Sequence, residues 1–184
     1  MTSTRSNPGS IGWEARDFSL KGVDGRHWKI RDVKGTKGLV VMFICNHCPY
    51  VRAITTRLVS DAHEMSLLDI GLIAIMPNDT KISPGDAFDK MVDFSKACKF
   101  NFPYVIDQTQ DTAKSYKASC TPDFYGFNSN LKLQYRGRLD DSGREPPVEG
   151  NRHELLEAMY LIATTGCGPE IQHPSIGCSI KWRP

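Results

Sequence analysis

Two cysteines with two residues between them lie in the segment Cys45–Pro49, which reads Cys-Asn-His-Cys-Pro. The segment follows the apolar, β-rich run 39–44, and the residues after it repeat their apolar side chains at helical spacing. The motif is therefore predicted at the turn from a buried strand into a helix. A helix N-terminus offers unpaired N–H groups and the positive end of the helix dipole, which lower the pKa of a thiol. We predict a redox pair in which Cys45 attacks a partner and Cys48 resolves the mixed disulfide.

Three further residues are predicted to assist this pair. His47 directly precedes Cys48, and its imidazole is expected to favour the outer thiolate and so tune the reduction potential. The dipeptide Thr121-Pro122 opens a predicted strand. A cis-proline loop beside a Cys-x-x-Cys motif holds a backbone edge open for a substrate strand, so Thr121 and Pro122 are predicted to bind substrate. An ordinary trans turn proline is the alternative.

Other side chains are candidates for auxiliary roles. Cys120 directly precedes the proline loop and is predicted to lie near Cys45. Cys178 lies in a C-terminal tail that is expected to dock through its apolar side chains Ile176, Ile180 and Trp182. Docking leaves two interpretations open for Cys178, a third redox partner or a small buried hydrophobe. Arg138 could lend positive charge to a thiolate, although a solvated loop residue is the simpler interpretation.

Composition and charge narrow the class of protein. The chain has 184 residues, and its 23 Lys and Arg against 21 Asp and Glu leave a net charge of +2. No block of like charge predicts a nucleic-acid or membrane-surface partner. The longest uncharged run, 38–51, is too short to span a membrane, and the N-terminus lacks the apolar region of a signal peptide. We therefore expect a cytoplasmic, reducing setting, in which six cysteines favour catalysis, metal binding or packing over a disulfide framework.

The order of predicted elements indicates an α/β fold. A hairpin over 18–30 precedes a strand, helix and strand over 39–76, which indicates a parallel βαβ unit. The later elements are listed here: a helix from Ser83, a strand over 103–106, a helix over 111–116, a hairpin over 123–136 and a helix over 152–165. The prediction is a central mixed β-sheet flanked by helices, with an N-terminal β-hairpin extension. One domain is expected over 12–183, after a flexible N-terminus over 1–11.

Four segments together resemble a known family: Val41–Val51, Cys120–Phe124, Tyr135–Asp141 and Pro174–Trp182. They are similar to bacterial thioredoxin-like proteins of the peroxiredoxin-like or redoxin type, the alkyl hydroperoxide reductase/thiol-specific antioxidant family. The resemblance spans about 12–183 and implies a thioredoxin-like fold with antioxidant or disulfide oxidoreductase activity. Peroxiredoxins carry a Thr three residues before their reactive cysteine, where this sequence has Met42. Thioredoxins carry a buried acid on the preceding strand, where this sequence is apolar.

Three functions are compatible with these residues. The motif favours a thiol-disulfide oxidoreductase that uses no cofactor and acts on thiols or disulfides of proteins or small molecules. A thiol peroxidase acting through Cys45 on peroxides is the first alternative. The second is a metal-binding protein without redox turnover, because thiolate and imidazole are ligands for zinc or copper. Its candidate ligands are Cys45, Cys48, His47, Cys120 and Cys178, but the sequence lacks a second paired knuckle and no metal is predicted.

Overall fold

The structure, a computed structural model, describes residues 3–6 and 10–184. Its strands are β1 (Ser3–Arg5), β2 (Leu20–Gly22), β3 (His27–Trp28), β4 (Gly38–Phe43), β5 (Ile70–Met76), β6 (Tyr104–Ile106), β7 (Cys120–Thr121), β8 (Asp123–Asn128), β9 (Leu133–Gly137) and β10 (Ile176–Ser179). Its α-helices are α1 (Ile30–Val33), α2 (Pro49–Leu67), α3 (Phe88–Ala97), α4 (Asp111–Ser115) and α5 (Glu154–Thr165).

The large sheet has the strand order β3-β2-β6-β5-β4-β8-β9. Strands β4, β5 and β6 are parallel, whereas β2, β3, β8 and β9 pair antiparallel with their neighbours. All six residues of β4 are buried, because the strand lies inside the sheet and both of its faces are covered. The predicted α/β fold with a mixed sheet flanked by helices is confirmed, and so are the N-terminal hairpin and the parallel βαβ unit.

The helices cover the two faces of the large sheet. Alternate residues of β4 point to opposite faces. On one face, Val40 and Met42 share a core with apolar residues of α2, α3 and α5. On the other, Val41 and Phe43 share a core with residues of α1 and α4. Among the described residues, no helix is long and apolar enough to cross a membrane.

A small second sheet, in the order β1-β10-β7, joins the two ends of the chain. Its strands are antiparallel, with Ser3 opposite Cys178 and Cys178 opposite Thr121. The prediction of a flexible N-terminus over 1–11 is wrong for Ser3–Arg5, because these residues pair with β10. Residues 1–2 and 7–9 lie outside the described part of the chain.

Two local predictions need correction. The helix expected from Ser83 begins instead as a separate 3-10 turn, Pro84–Asp86, and α3 starts only at Phe88 after the extended residue Ala87. The turn forms because the carboxylate of Asp86 points into the protein and accepts hydrogen bonds there. Of the three apolar side chains that were expected to dock the C-terminal tail, only Ile180 is buried. Ile176 and Trp182 are exposed at 42% and 36%.

Candidate active site

The Cys-x-x-Cys segment lies where the sequence predicted it, between the end of β4 and the start of α2. Cys48 is the N-cap of α2, and Pro49 is its first helical residue. A proline fits this position because the first N–H of a helix has no intrahelical partner. Cys45 and Cys48 are both fully buried, and all six cysteines are thiols. The pair is thus placed at the helix N-terminus, but beneath the surface.

The Cys45 thiol has two close polar neighbours, Cys48 and Thr121. The Cys45 Sγ lies 3.1 Å from the Thr121 Oγ1. The hydrogen bond to Cys48 raises the pKa of Cys45 well above its usual value, and burial and the negative charge of Asp86 act in the same direction. Only the Thr121 hydroxyl, which can donate to a thiolate, opposes this shift. The surroundings of Cys45 therefore favour its thiol form.

Cys48 is the sulfur best placed to carry a negative charge. The hydrogen bond from Cys45 lowers the pKa of Cys48 to about 5 against the cost of burial, and a second hydrogen bond from Cys178 helps. The backbone N–H of Val51, in the first turn of α2, also favours the thiolate. In its thiol form Cys48 can donate to the Cys178 Sγ at 2.9 Å or to the Thr121 carbonyl oxygen at 3.2 Å, and when Cys48 is ionised Cys178 is the donor between the two sulfurs. The hydrogen bonds therefore favour a negative charge on Cys48 over one on Cys45.

His47 is held by an acid that the sequence analysis missed. The His47 Nδ1 lies 2.7 Å from Oδ2 of Asp86, which is fully buried. The Asp86 carboxylate also accepts hydrogen bonds from the backbone N–H of Asn46 (2.8 Å), the side-chain amide of Asn78 (2.8 Å) and the hydroxyl of Ser83 (2.9 Å). Asp86 thereby fixes the orientation of the imidazole next to Cys45.

The parallel pairing of β4 and β5 is the signal that could have found Asp86. Segments that follow neighbouring parallel strands meet at the same edge of a sheet. The segment after β5, which contains Asn78 and Asp86, therefore has to approach the segment after β4, which contains Cys45. From the sequence, Asp86 indicates only an acid in the first turn of the helix predicted from Ser83.

Cys45, His47 and Asp86 are the one described group with a geometry suited to a metal ion. Their ligand atoms all lie within 4.8 Å of one another. The same Asp86 oxygens, however, already accept the four hydrogen bonds that orient the carboxylate. Cys48 and Cys178, named in the sequence analysis as further thiolate ligands, contact each other outside this group. The geometry thus favours an imidazole held by hydrogen bonds.

The predicted proline loop adjoins the pair. The Thr121-Pro122 peptide bond is cis. The side chain of Thr121 contacts Cys45, and its carbonyl oxygen contacts Cys48. Its backbone edge is paired with Cys178 of β10. The loop is therefore beside the cysteines as expected, but its edge is covered by the C-terminal strand.

The three auxiliary candidates, Cys178, Cys120 and Arg138, have different neighbours in the structure. Cys178 contacts Cys48 rather than Cys45 or Cys120. Cys120 is buried, and its Sγ lies 3.6 Å from the carbonyl oxygen of Pro122. The proposed charge of Arg138 near a thiolate is wrong, because its guanidinium binds both carboxylate oxygens of Glu154 at 2.7 and 2.9 Å.

Comparison with known proteins identifies relatives over the whole chain. An uncharacterized conserved protein from Geobacillus kaustophilus has 40% sequence identity and a TM-score of 0.94, with 100% of this chain and 98% of that chain covered. A hypothetical protein from Sinorhizobium meliloti 1021 has 33% identity and a TM-score of 0.89, with 98% of each chain covered. No curated protein matches the sequence.

A solved structure with lower sequence identity shares the fold of this protein. A secreted disulfide oxidoreductase from Mycobacterium tuberculosis has 16% identity and a TM-score of 0.54, with 64% of this chain and 80% of that chain covered. The model of the AhpC/TSA family matches residues 11–136, which include β4, the Cys-x-x-Cys segment and the proline loop. The protein is a thioredoxin-like redoxin and belongs to the AhpC/TSA family.

Proposed function

We propose that the protein is a thiol-disulfide oxidoreductase in which Cys45 attacks and Cys48 resolves. The observation that carries the proposal is the thiol pair at the N-terminus of α2, where the Cys45 Sγ lies 3.1 Å from the Thr121 hydroxyl and the Cys48 Sγ lies 3.2 Å from the Thr121 carbonyl oxygen. Membership of the AhpC/TSA family supports thiol redox chemistry, and the disulfide oxidoreductase among the solved structures shares the fold. The partners are thiols or disulfides of proteins or small molecules.

The proposed reaction transfers two electrons in two exchange steps. Cys45, as a thiolate, attacks one sulfur of a partner disulfide and releases the other partner sulfur as a thiolate. Cys48 then attacks the Cys45 sulfur of the mixed disulfide and releases the second partner thiolate. The partner is reduced, and a Cys45–Cys48 disulfide remains. Run in reverse, the same steps oxidise a partner dithiol.

The position of one proton selects the attacking sulfur. We assign the proton of the Cys45–Cys48 hydrogen bond to Cys45, because this bond raises the pKa of Cys45 and lowers the pKa of Cys48. Moving that proton to Cys48 places the negative charge on Cys45, where the Thr121 hydroxyl can stabilise it. Once Cys45 is bonded to the partner it no longer donates to Cys48, and the Cys48 thiolate that resolves is stabilised by the hydrogen bond from Cys178 and the backbone N–H of Val51, without the buried acid that thioredoxins use. His47, oriented by Asp86, is proposed to tune this balance.

Trapping of mixed disulfides tests which cysteine attacks. Reduced Cys48→Ser protein, treated with glutathione disulfide, is expected to retain one glutathione on Cys45, because no resolving sulfur remains. Cys45→Ser protein is expected to retain none on Cys48. The adducts are located by mass spectrometry of proteolytic fragments.

Two controls sharpen the trapping experiment. Cys167 is exposed and would itself take up glutathione, so every variant carries Cys167→Ser. Cys98→Ser, which changes a half-buried thiol outside the site, should behave as the parent protein. Equal adducts on Cys45 and Cys48, or none on either, would contradict the assignment.

Reaction with peroxide distinguishes the first alternative function. We expect the reduced protein to consume hydrogen peroxide no faster than an unassisted thiolate, because Met42 stands three residues before Cys45, where peroxiredoxins carry a Thr. Peroxide cleavage also needs donors aligned on the leaving oxygen. Stopped-flow kinetics with Cys45→Ser as the blank gives the rate. A Cys45-dependent rate about a thousandfold or more above a free thiolate would establish a peroxidase instead.

A further inference from the structure

The backbone edge beside the cis-proline is occupied by the chain itself. Cys178 and Ser179 of β10 pair antiparallel with Thr121 and Cys120 of β7. An exposed edge of this kind is where an extended segment of another protein adds as a strand. In this protein, β10 occupies that position, and its Cys178 lies against Cys48 of the redox pair.

The contact between β10 and Thr121 is unusually close. A Cβ atom on Gly177 would lie 2.0 Å from the Thr121 carbonyl oxygen and 2.5 Å from its carbonyl carbon. Only glycine therefore permits this approach. The buried side chain of Ile180, next along the chain, holds the strand on the core. The backbone edge at Thr121 therefore fits the strand that contains Gly177.

The same strand presents a thiol to the redox pair. The Cys178 Sγ lies 2.9 Å from the Cys48 Sγ, whereas a disulfide bond measures about 2.05 Å. A shift of about an ångström would bring the two sulfurs to bonding distance. Cys48 therefore lies between two thiols, Cys45 on its own segment and Cys178 on β10.

We propose that Cys178 is a third redox cysteine, which β10 presents to Cys48 as a built-in substrate. The proposal rests on the proposed function, because it starts from the Cys45–Cys48 disulfide. The Cys178 sulfur attacks the Cys48 sulfur, a Cys48–Cys178 bond forms and the Cys45–Cys48 bond breaks. Cys45 leaves as a thiolate and takes up the proton that Cys178 loses. No electrons enter or leave the protein in this step.

The exchange has a consequence for access to the site. A Cys48–Cys178 bond ties β10 to the start of α2, so the edge of Thr121 stays closed. Cys45 returns to the thiol state at the same time. The oxidised molecule is then held closed until an external thiol reduces the bond between Cys48 and Cys178.

Disulfide mapping tests the proposal on the full chain with Cys167→Ser. The reduced protein receives one equivalent of glutathione disulfide and is quenched with acid, alkylated, digested and analysed by mass spectrometry. A fragment linked through Cys48 and Cys178 is expected. It should be lost in Cys178→Ser, which keeps the Cys45–Cys48 bond. The matched control Cys120→Ser changes another buried thiol near the loop and should retain the Cys48–Cys178 fragment.

A second variant tests the role of the strand without removing a sulfur. Gly177→Ala would push β10 from Thr121, so the Cys48–Cys178 fragment should decrease and the Cys45–Cys48 bond should increase. If the parent protein forms only the Cys45–Cys48 bond, the third-cysteine proposal is overturned and the proposed function stands. If Cys178→Ser forms no Cys45–Cys48 bond, the proposed function itself fails.

Discussion

The reduced protein is expected to carry a thiolate throughout the neutral pH range, with a titration midpoint near pH 5. The reason is the environment of Cys48, whose pKa is lowered to about 5 by hydrogen bonds from Cys45 and Cys178 and by the N-terminus of α2. The measurement is the ultraviolet absorbance of the thiolate as the pH is raised. The step near pH 5 should disappear in Cys48→Ser, and a parent protein that ionises only near pH 9, like a free thiol, would contradict the prediction.

Variants of the neighbouring thiols separate the causes of this shift. Cys178→Ala removes one donor to Cys48 and is expected to move the midpoint to higher pH, whereas Cys120→Ser should leave it unchanged. The sign of the effect on stability follows from linkage. The folded pKa of Cys48 lies below its unfolded value, so its contribution is fully present above the unfolded pKa and is lost as the pH falls through about 5. The reduced protein should therefore become more stable as the pH rises from about 5 toward 9.0, the ordinary pKa of a cysteine thiol.

The elements that hold the redox pair could be predicted because their signals are local. The continuous apolar run of β4 indicated a strand buried on both faces, and the helical spacing after Pro49 indicated α2. The position of the Cys-x-x-Cys motif between them followed directly. The proline loop was predicted from the two residues Thr121 and Pro122 and lies beside the cysteines.

The remaining parts of the site depend on long-range pairing. β1 has three residues and pairs with β10 across almost the whole chain, which no local periodicity indicates. The contact between Cys48 and Cys178 follows from that small sheet. Asp86 reaches His47 because a 3-10 turn directs its side chain inward. Such contacts are set by the packing of distant segments.

From the sequence, Arg136 is most simply interpreted, like Arg138, as a residue of a solvated loop face, but the structure buries it. Its side chain is 4% exposed, and its Nη2 lies 3.0 Å from Oδ2 of the fully buried Asp123. The same nitrogen donates to the Lys117 carbonyl oxygen at 2.9 Å, and the guanidinium lies over the ring of Tyr125. Asp140, placed in the same loop face, is also buried and binds Arg57. The register of β8 and β9 places Arg136 opposite Tyr125, which turns it inward.

Replacement of Arg136 by methionine is expected to lower the free energy of unfolding by about 3–5 kcal/mol at pH 7, because it leaves the Asp123 charge buried without its partner. Burial already raises the pKa of Asp123 to about 6 in the intact pair. Without Arg136 that pKa rises further, so Asp123 takes up a proton more readily in the folded state. The deficit should therefore shrink as the pH is lowered from 7 to 5, which urea unfolding at both pH values measures.

Two comparisons isolate the buried pair as the cause. The double variant Arg136→Met/Asp123→Asn removes the unpaired charge, so it should recover at least half of the loss, since the cost of a broken buried pair lies mainly in the charge left behind. Lys132→Met, which breaks the exposed ion pair with Glu14, should leave stability nearly unchanged. Because Arg136 contacts neither Cys45 nor Cys48, Arg136→Met should also keep the thiolate step near pH 5. Loss of that step, or a pH-independent deficit, would show that the variant disturbs the proline loop as a whole.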